Sequence, residues 1–134
     1  MLGDTNRVLI AEDSGVFRRF LSSTLQNGPG LRVIGEASDG LSAIQQAQEL
    51  RPDLVVLDVG LPKLNGIEAA RVIRERSPRS KILFVSQESS GDVIQEAMNT
   101  GAHGYVTKIN AGHALVPAVG AVLRGEIFLD SIYR

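Results

Sequence analysis

Residues 54–58 read LVVLD: four apolar residues, two of them valine, are followed at once by the acid Asp58. A run this short and this β-branched is typical of a buried strand, so the acid stands where the strand leaves the core. Nearer the N-terminus, residues 8–13 read VLIAED, and there a second apolar run ends in Glu12 and Asp13. Two strands that both end in acids predict three carboxylates at one edge of a sheet.

Carboxylates gathered in this way need a partner of opposite charge. Like charges repel and raise each other's pKa unless a cation joins them. Hard oxygen ligands in this number suit a magnesium-type ion, which keeps several waters and shares a phosphate with the protein. Glu12, Asp13 and Asp58 therefore predict a Mg²⁺ site rather than a packing feature.

Composition narrows the class of protein. The chain has 134 residues with 43% hydrophobic and 22% charged content, which is enough for one domain with its own core. Lys and Arg number 14 against 15 Asp and Glu, so the net charge of -1 gives no field that would hold nucleic acid or an anionic membrane. There is no cysteine, no apolar stretch long enough to span a bilayer, and residues 1–7 are too polar for a signal peptide. We expect a cytoplasmic protein with no membrane partner.

Short β-branched runs alternate with longer segments of helical period, which is the pattern of a βαβ fold. Five strands, mostly parallel, are expected at residues 8–11, 31–37, 54–57, 81–85 and 104–107. Five apolar stripes between and after them predict five helices: Phe17, Phe20, Leu21, Leu25; Leu41, Ile44, Ala47; Ile67, Ala70, Ile73; Val93, Ile94, Ala97; and Leu115, Val119, Val122. The predicted fold class is α/β, with a doubly wound, five-stranded parallel sheet covered by five helices.

Helix ends are also marked in the sequence. Asp39 before Gly40 can cap the second helix, and Asn65 followed by Glu68 has the spacing of a capping box at the start of the third. Ser77 and Pro78 would end that third helix.

The informative polar residues fall at the carboxyl ends of the predicted strands, where open α/β sheets bind their ligands. Ser86 ends the fourth strand and Lys108 follows the fifth, which adds a hydroxyl and an ammonium to the three acids. Such a set predicts a phosphoryl site, because a metal offsets the acids while the hydroxyl and the ammonium hold phosphate oxygens as charge develops.

The order of these residues resembles a response-regulator receiver domain of two-component systems. The likeness covers residues 7–124 and includes Leu61, Pro62, Asn65 and Gly66 behind the phosphoacceptor strand. It implies the flavodoxin-like receiver fold with strand order 2-1-3-4-5. The end of the chain, with Leu123, Arg124, Gly125, Phe128 and Leu129, further resembles receivers that precede a LuxR-type helix-turn-helix output domain.

The resemblance implies a role for each site residue. Asp58 would be the nucleophile that accepts a phosphoryl group from a sensor histidine kinase or a small phosphodonor. Asp13 and Asp58 would bind Mg²⁺ directly, Glu12 would bind it through water, and the carbonyl of Gly60 would complete the protein ligands. The chemistry would be confined to phosphorylation and dephosphorylation of the chain itself, so the protein would not be an enzyme acting on a free substrate.

The remaining implied roles concern the response to phosphate. Lys108 would pair with a phosphoryl oxygen, and Ser86 would move in to hydrogen-bond another. Tyr105 would then turn inward into the space that the Ser86 loop vacates. These contacts exist only in the phosphorylated state, so they would shift the population of a two-state loop.

The resemblance also suggests domain limits and partners. Residues 1–6 would be an N-terminal extension, residues 7–124 the receiver, and residues 125–134 the start of a C-terminal connector. A kinase would dock near the first helix, and a second copy would bind through the fourth helix, fifth strand and fifth helix on phosphorylation. DNA would be contacted only through a C-terminal output domain absent from this chain, with transcription as the controlled output.

Other readings stay open. Asp58 could cap a turn, Glu12 and Asp13 could cap the first helix, and Tyr105 could be core filler.

Relatives usually carry a small residue after the switch hydroxyl, whereas this chain has Gln87 and Glu88, so the phosphorylated lifetime is expected to be unusual. The long side chains also leave room for a phosphorylation-independent interaction module of the same fold. A Mg²⁺-dependent phosphatase is a third reading, although no glycine-rich phosphate loop supports it.

Overall fold

The computed structural model of the protein describes residues 5–130, in which strands and helices alternate along the chain. Most of the predicted N-terminal extension and residues 131–134 of the predicted connector lie outside the described residues. The strands are β1 (Asn6–Ala11), β2 (Leu31–Ala37), β3 (Leu54–Leu57), β4 (Lys81–Ser86), β5 (Gly104–Thr107) and β6 (Phe128–Leu129). The helices are α1 (Gly15–Gln26), α2 (Gly40–Leu50), α3 (Gly66–Arg76), α4 (Gly91–Met98) and α5 (Ala111–Leu123), the last preceded by a 3-10 turn over Lys108–Asn110.

The sheet has six strands rather than the five that the sequence predicted. All neighbouring strands are parallel, in the order β2-β1-β3-β4-β5-β6, so the expected order is extended by one strand beyond β5. The extra strand, β6, is only two residues long and shows no apolar alternation that periodicity could detect. It pairs with the edge of β5, which is the last strand in the predicted order.

Backbone and side-chain hydrogen bonds hold β6 in place. The chain turns after α5 at Gly125, whose φ of 86° is readily adopted by glycine. The Phe128 amide donates to the His103 carbonyl at 2.9 Å, and the Asp130 amide donates to the Tyr105 carbonyl at 3.2 Å. The buried Asp130 carboxylate accepts from both the amide and the hydroxyl of Thr107, at 2.7 and 2.9 Å.

Helices cover both faces of the sheet, and alternate residues of each strand face opposite cores. Val8, Ile10 and their counterparts in β3, β4 and β5 pack with α1 and α5. Leu9 and its counterparts pack with α2, α3 and α4. The predicted stripes are largely buried, but Leu41 is 55% exposed because α2 packs through Ala43 and Ala47 instead. Among residues 5–130, every helix is too short or too polar to span a lipid bilayer.

The predicted helix ends are confirmed at three positions. The Asp39 side chain accepts from the Ser42 amide at 2.7 Å and caps α2. The Asn65 side chain accepts from the Glu68 amide at 3.0 Å and caps α3, while the Glu68 carboxylate pairs with Arg71 instead of closing the capping box. Ser77 is the C-terminal cap of α3.

The start of α3 lies directly against the end of β3. A Cβ atom on Gly66 would lie 1.9 Å from the carbonyl oxygen of Asp58, so only glycine permits this approach. The Gly66 amide donates to the Val59 carbonyl at 2.7 Å. The contact fixes the backbone on which Asp58 sits.

Candidate functional site

A cleft of about 350 Å³ opens at the carboxyl ends of β1, β3, β4 and β5. This is the edge at which the strand order reverses, between β1 and β3, and the sequence predicted its site residues here. The cleft is lined by Glu12, Asp13, Ser14, Asp58, Gly60, Ser86, Gln87, Glu88 and Lys108. Of the predicted site residues, only Tyr105 does not line it.

Three acids from two strand ends meet in this cleft. One carboxylate oxygen from each of Glu12, Asp13 and Asp58 lies within 4.8 Å of the others. Glu12 and Asp58 are buried, whereas Asp13 is exposed at the mouth. Because these residues follow parallel strands that pair directly, their convergence follows from the register of β1 with β3.

The Lys108 ammonium reaches in between two of the acids. Its Nζ atom lies 2.9 Å from Glu12 Oε1 and 3.3 Å from Asp58 Oδ2, and its side chain is 16% exposed. Glu12 Oε1 is fully buried, and apart from this ion pair it has no hydrogen-bond partner among residues 5–130. The lysine therefore offsets part of the negative charge of the three acids.

Burial and pairing shift the pKa values of the two paired residues. Burial raises the pKa of the Glu12 carboxyl above its usual value, against the opposing effects of Lys108 and the Ser14 amide. For Lys108, burial alone would lower the pKa, but the contact with Glu12 and the charge of Asp58 outweigh it and raise the pKa. The ammonium stays charged at neutral pH and is held inside the cleft.

The backbone around Asp58 holds its buried carboxylate in the cleft. Its amide donates to the Ala11 carbonyl at 3.1 Å, and its Oδ1 atom accepts from the Gly60 amide at 3.3 Å. Asp58 thus makes the turn contact that a purely structural role would give it, while Oδ2 faces Lys108.

The helix-cap alternative for Glu12 and Asp13 is wrong, because Ser14 is the N-terminal cap of α1.

Ser86, Glu88 and Tyr105 form a connected group beside the cleft. The Ser86 hydroxyl accepts from the Glu88 amide at 3.2 Å, and the Tyr105 hydroxyl donates to the Glu88 carbonyl at 2.7 Å. Tyr105 is 1% exposed, so its ring points into the protein. Burial raises the pKa of Tyr105 to about 12, although contact with Ser86 opposes the shift.

Three residues near the cleft were not identified from the sequence as parts of the site. The Ser14 amide donates to Glu12 Oε2 at 2.9 Å, and Arg18 donates to the Glu12 carbonyl at 2.7 Å. The ring centroid of Phe17 lies 4.7 Å from Lys108 Nζ. A serine ahead of an apolar stripe could have indicated Ser14 as a cap, but no sequence signal distinguishes Phe17 from other members of its stripe.

The residues present fit a divalent cation. Their donors are carboxylate oxygens, which hard cations prefer, and among residues 5–130 the buried Glu12 Oε1 is contacted only by the Lys108 ammonium. The exposed Asp13 leaves one side of the group open to solvent and so to bound water.

Comparisons with known proteins match this architecture. A family model described as the response regulator receiver domain matches residues 8–120. A LuxR-family two-component response regulator from Aurantimonas sp. SI85-9A1 superposes with a TM-score of 0.90 at 33% identity, covering 95% of this chain and 91% of that one. The response regulator domain of CheB from Thermotoga maritima superposes with a TM-score of 0.80 at 31% identity, covering 90% and 95% of the two chains.

Curated relatives are longer than this chain. A protein-glutamate methylesterase/protein-glutamine glutaminase from Alkalilimnicola ehrlichii is 40% identical over 76% of this chain, which is 26% of its own length. The transcriptional regulatory protein DegU from Brevibacillus brevis is 30% identical over 92% of this chain and 52% of its own length. The chain therefore spans between a quarter and about half of these relatives.

Proposed function

Because the chain belongs to the response regulator receiver domain family, we propose that it is a phosphorelay switch with Asp58 as its phosphoacceptor. The observation that carries the proposal is the group formed by Asp58, Lys108 and the acids Glu12 and Asp13 in one cleft. A nucleophilic carboxylate, a fixed ammonium and a cluster of hard oxygen ligands are the parts that phosphoryl transfer requires.

Magnesium is the cofactor that suits these residues. Asp13 and Asp58 would hold the ion directly, Glu12 would hold it through water, and the carbonyl of Gly60 would add an uncharged ligand. When bound, Mg²⁺ would neutralise charge on the transferring phosphoryl oxygens.

The transfer step uses one oxygen of the Asp58 carboxylate. That oxygen attacks phosphorus in a phosphohistidine, the phosphorus–nitrogen bond breaks, and the imidazole leaves with its electron pair and takes up a proton. The product is an acyl phosphate on Asp58. Lys108 already lies 3.3 Å from Asp58 Oδ2, so its ammonium can stabilise the added charge with little rearrangement.

The response to phosphorylation would pass through Ser86. Its oxygen accepts from the Glu88 amide at 3.2 Å, and its hydroxyl proton would be donated to a phosphoryl oxygen. Charge-assisted hydrogen bonds contribute about 1.5 to 3 kcal/mol each. Two or three of them would supply the roughly 5 kcal/mol that converts a minor conformer into the dominant one. Tyr105 would act as the link to the Glu88 segment rather than as a ring that first turns inward.

A second candidate is an interaction module of the same fold that does not use phosphate. Gln87 and Glu88 are exposed and line the cleft, where long side chains can hinder a phosphodonor. Phosphorylation in the presence of Mg²⁺ separates the two candidates.

Partners follow from the proposed switch. Val16 and Ile109 are 73% and 83% exposed, and they follow the β1 and β5 ends, so apolar side chains flank the carboxyl edge where a sensor histidine kinase would dock. A phosphorylated chain would form a homodimer, and any contact through β5 would include β6, which covers its edge. DNA would be reached only through an output domain beyond this chain, and the setting would be the cytoplasm.

The test is covalent labelling of Asp58. The native chain, incubated with Mg²⁺ and a small phosphodonor and measured by intact mass, is expected to gain one phosphoryl group. Asp58→Asn should gain none, because the amide is not a nucleophile for phosphorus. Asp92→Asn makes the same substitution at an exposed position in α4 and should label like the native chain. Equal labelling of native and Asp58→Asn chains would contradict the proposal.

A further inference from the structure

The Lys108 ammonium has an aromatic neighbour in addition to its two carboxylates. The centroid of the Phe17 ring lies 4.7 Å from Nζ, within the range of a cation–π contact. The carboxylates of Glu12 and Asp58 contact the same nitrogen, at 2.9 Å and 3.3 Å respectively. The ring and the acids together leave the lysine side chain 16% exposed.

The ring is held by the same turn that carries Glu12. The Phe17 amide donates to the Ser14 hydroxyl at 3.3 Å, which caps α1. The Ser14 amide in turn donates to Glu12 Oε2 at 2.9 Å. Phe20 lies beside Phe17, with ring centroids 5.3 Å apart. The position of the ring is therefore tied to the position of the carboxylate that Lys108 pairs with.

The partners of Lys108 differ in what phosphorylation does to them. When Asp58 carries a phosphoryl group, its carboxylate no longer offers the same anionic oxygen, so the ammonium pairs with the phosphoryl oxygens instead. The attraction of the Phe17 ring does not depend on the charge state of Asp58, because it comes from the ring quadrupole. The ring can thus restrain the ammonium in both states.

We propose that Phe17 is a positioning residue that holds the Lys108 ammonium towards the phosphoryl group. This inference rests on the proposed function of Asp58 as phosphoacceptor. It assigns a role at the site to a side chain that the sequence places only in an apolar helix stripe. The competing explanation is that Phe17 merely packs against the core on the α1 side of the sheet.

Three variants of the full chain separate these explanations. Phe17→Leu keeps an apolar side chain but removes the ring, whereas Phe17→Tyr keeps the ring. Phe20→Leu removes the neighbouring ring from the same helix and serves as the matched control. Urea unfolding of each variant shows whether the fold is retained.

The first readout is affinity for beryllium fluoride, a phosphoryl mimic, measured by calorimetry with Mg²⁺ present. Phe17→Leu should bind it about 2- to 10-fold more weakly than the native chain, which corresponds to the range of a cation–π contact. Phe17→Tyr and Phe20→Leu should stay within about twofold of native. The second readout is the ring-current shift of the Lys108 ε-methylene in NMR spectra, which Phe17→Leu should abolish and Phe20→Leu should preserve.

Equal affinity of the native and Phe17→Leu chains would overturn the positioning role, as would an equal loss in Phe20→Leu. Failure of Phe17→Tyr to restore binding would also overturn it. If the native chain itself neither binds beryllium fluoride nor takes up phosphate, the proposed function fails together with this inference. That result is distinct from a failure confined to Phe17.

Discussion

Tyr105 offers the clearest pH dependence at the scale of a single residue. Its folded pKa of about 12 lies above the ordinary value of 10.0 because the phenol is buried. The folded state therefore keeps the proton longer than the unfolded chain does. Its contribution to stability is complete below the unfolded pKa and is lost as pH rises towards the folded one.

We expect the free energy of unfolding of the native chain to fall more steeply between pH 10.0 and about 12 than that of Tyr105→Phe. At neutral pH the variant should be less stable by about 1 kcal/mol, because the bond to the Glu88 carbonyl is lost. Urea unfolding of both chains across this pH range gives the measurement. Parallel pH profiles would show that the phenol does not retain its proton in the fold.

Gln87 should influence how long the acyl phosphate survives. Its side chain lines the cleft and is exposed, so it can screen the phosphoryl group from water or align the attacking water. The rate of dephosphorylation of Gln87→Ala should differ from native by a factor of about 3 or more, equivalent to one hydrogen bond of modest strength. The loss of label with time, followed by intact mass, measures it, and equal rates would exclude the role.

At the scale of single residues, the sequence indicated which residues line the cleft better than it indicated which side chains contact each other. Glu12, Asp13, Asp58 and Lys108 converge because strand ends of a parallel sheet share one edge, and strand ends are readable from apolar runs. The hydrogen bond from the Tyr105 hydroxyl to the Glu88 carbonyl was not predicted, because a rotamer and its partner depend on packing that no local pattern encodes.

At the scale of elements, the junction of β3 and α3 controls where Asp58 sits. Gly66→Ala would place a Cβ atom 1.9 Å from the Asp58 carbonyl oxygen, so backbone must shift. We expect a loss of stability of about 1 to 3 kcal/mol or more, and slower phosphorylation because the nucleophile moves. Gly112→Ala is the control, because nothing lies within 4 Å of the added atom and alanine favours the helix. Urea unfolding measures the stability of both variants, and intact mass measures their rates of phosphorylation. Native stability of Gly66→Ala would contradict the close approach.

Helix limits were predictable and the sixth strand was not, for a physical reason. Caps such as Asp39 and Asn65 act through residues three positions away, so they leave a local signature. β6 instead depends on backbone bonds to β5, whose residues lie more than twenty positions earlier in the chain. A two-residue strand carries no period of its own.

At the scale of the whole molecule, Mg²⁺ binding should raise the free energy of unfolding. Binding to the folded state alone adds about 2.7 kcal/mol when free Mg²⁺ is 100 times its dissociation constant. We expect such a gain in the free energy of unfolding of the native chain and a much smaller gain in Asp58→Asn. Without Mg²⁺, the variant should be at least as stable as native, because one of three neighbouring acids is neutral.

Urea unfolding with Mg²⁺ and with a chelator gives the free energy of unfolding of the native and Asp58→Asn chains in each condition. An identical Mg²⁺ gain in both chains would show that Asp58 is not a ligand. Calcium at matched concentration tests whether the carboxylate group selects the smaller ion.

The docking of β6 bears on how the molecule can be dissected. A fragment trimmed after Leu123 would lack the carboxylate that satisfies the amide and hydroxyl of Thr107, one residue ahead of Lys108. Such a fragment would keep every residue of the cleft. Its β5 end, which carries Lys108, would nevertheless lose the hydrogen bonds from Asp130. Dissection experiments that keep Asp130 therefore preserve the support of the lysine as well as the cleft itself.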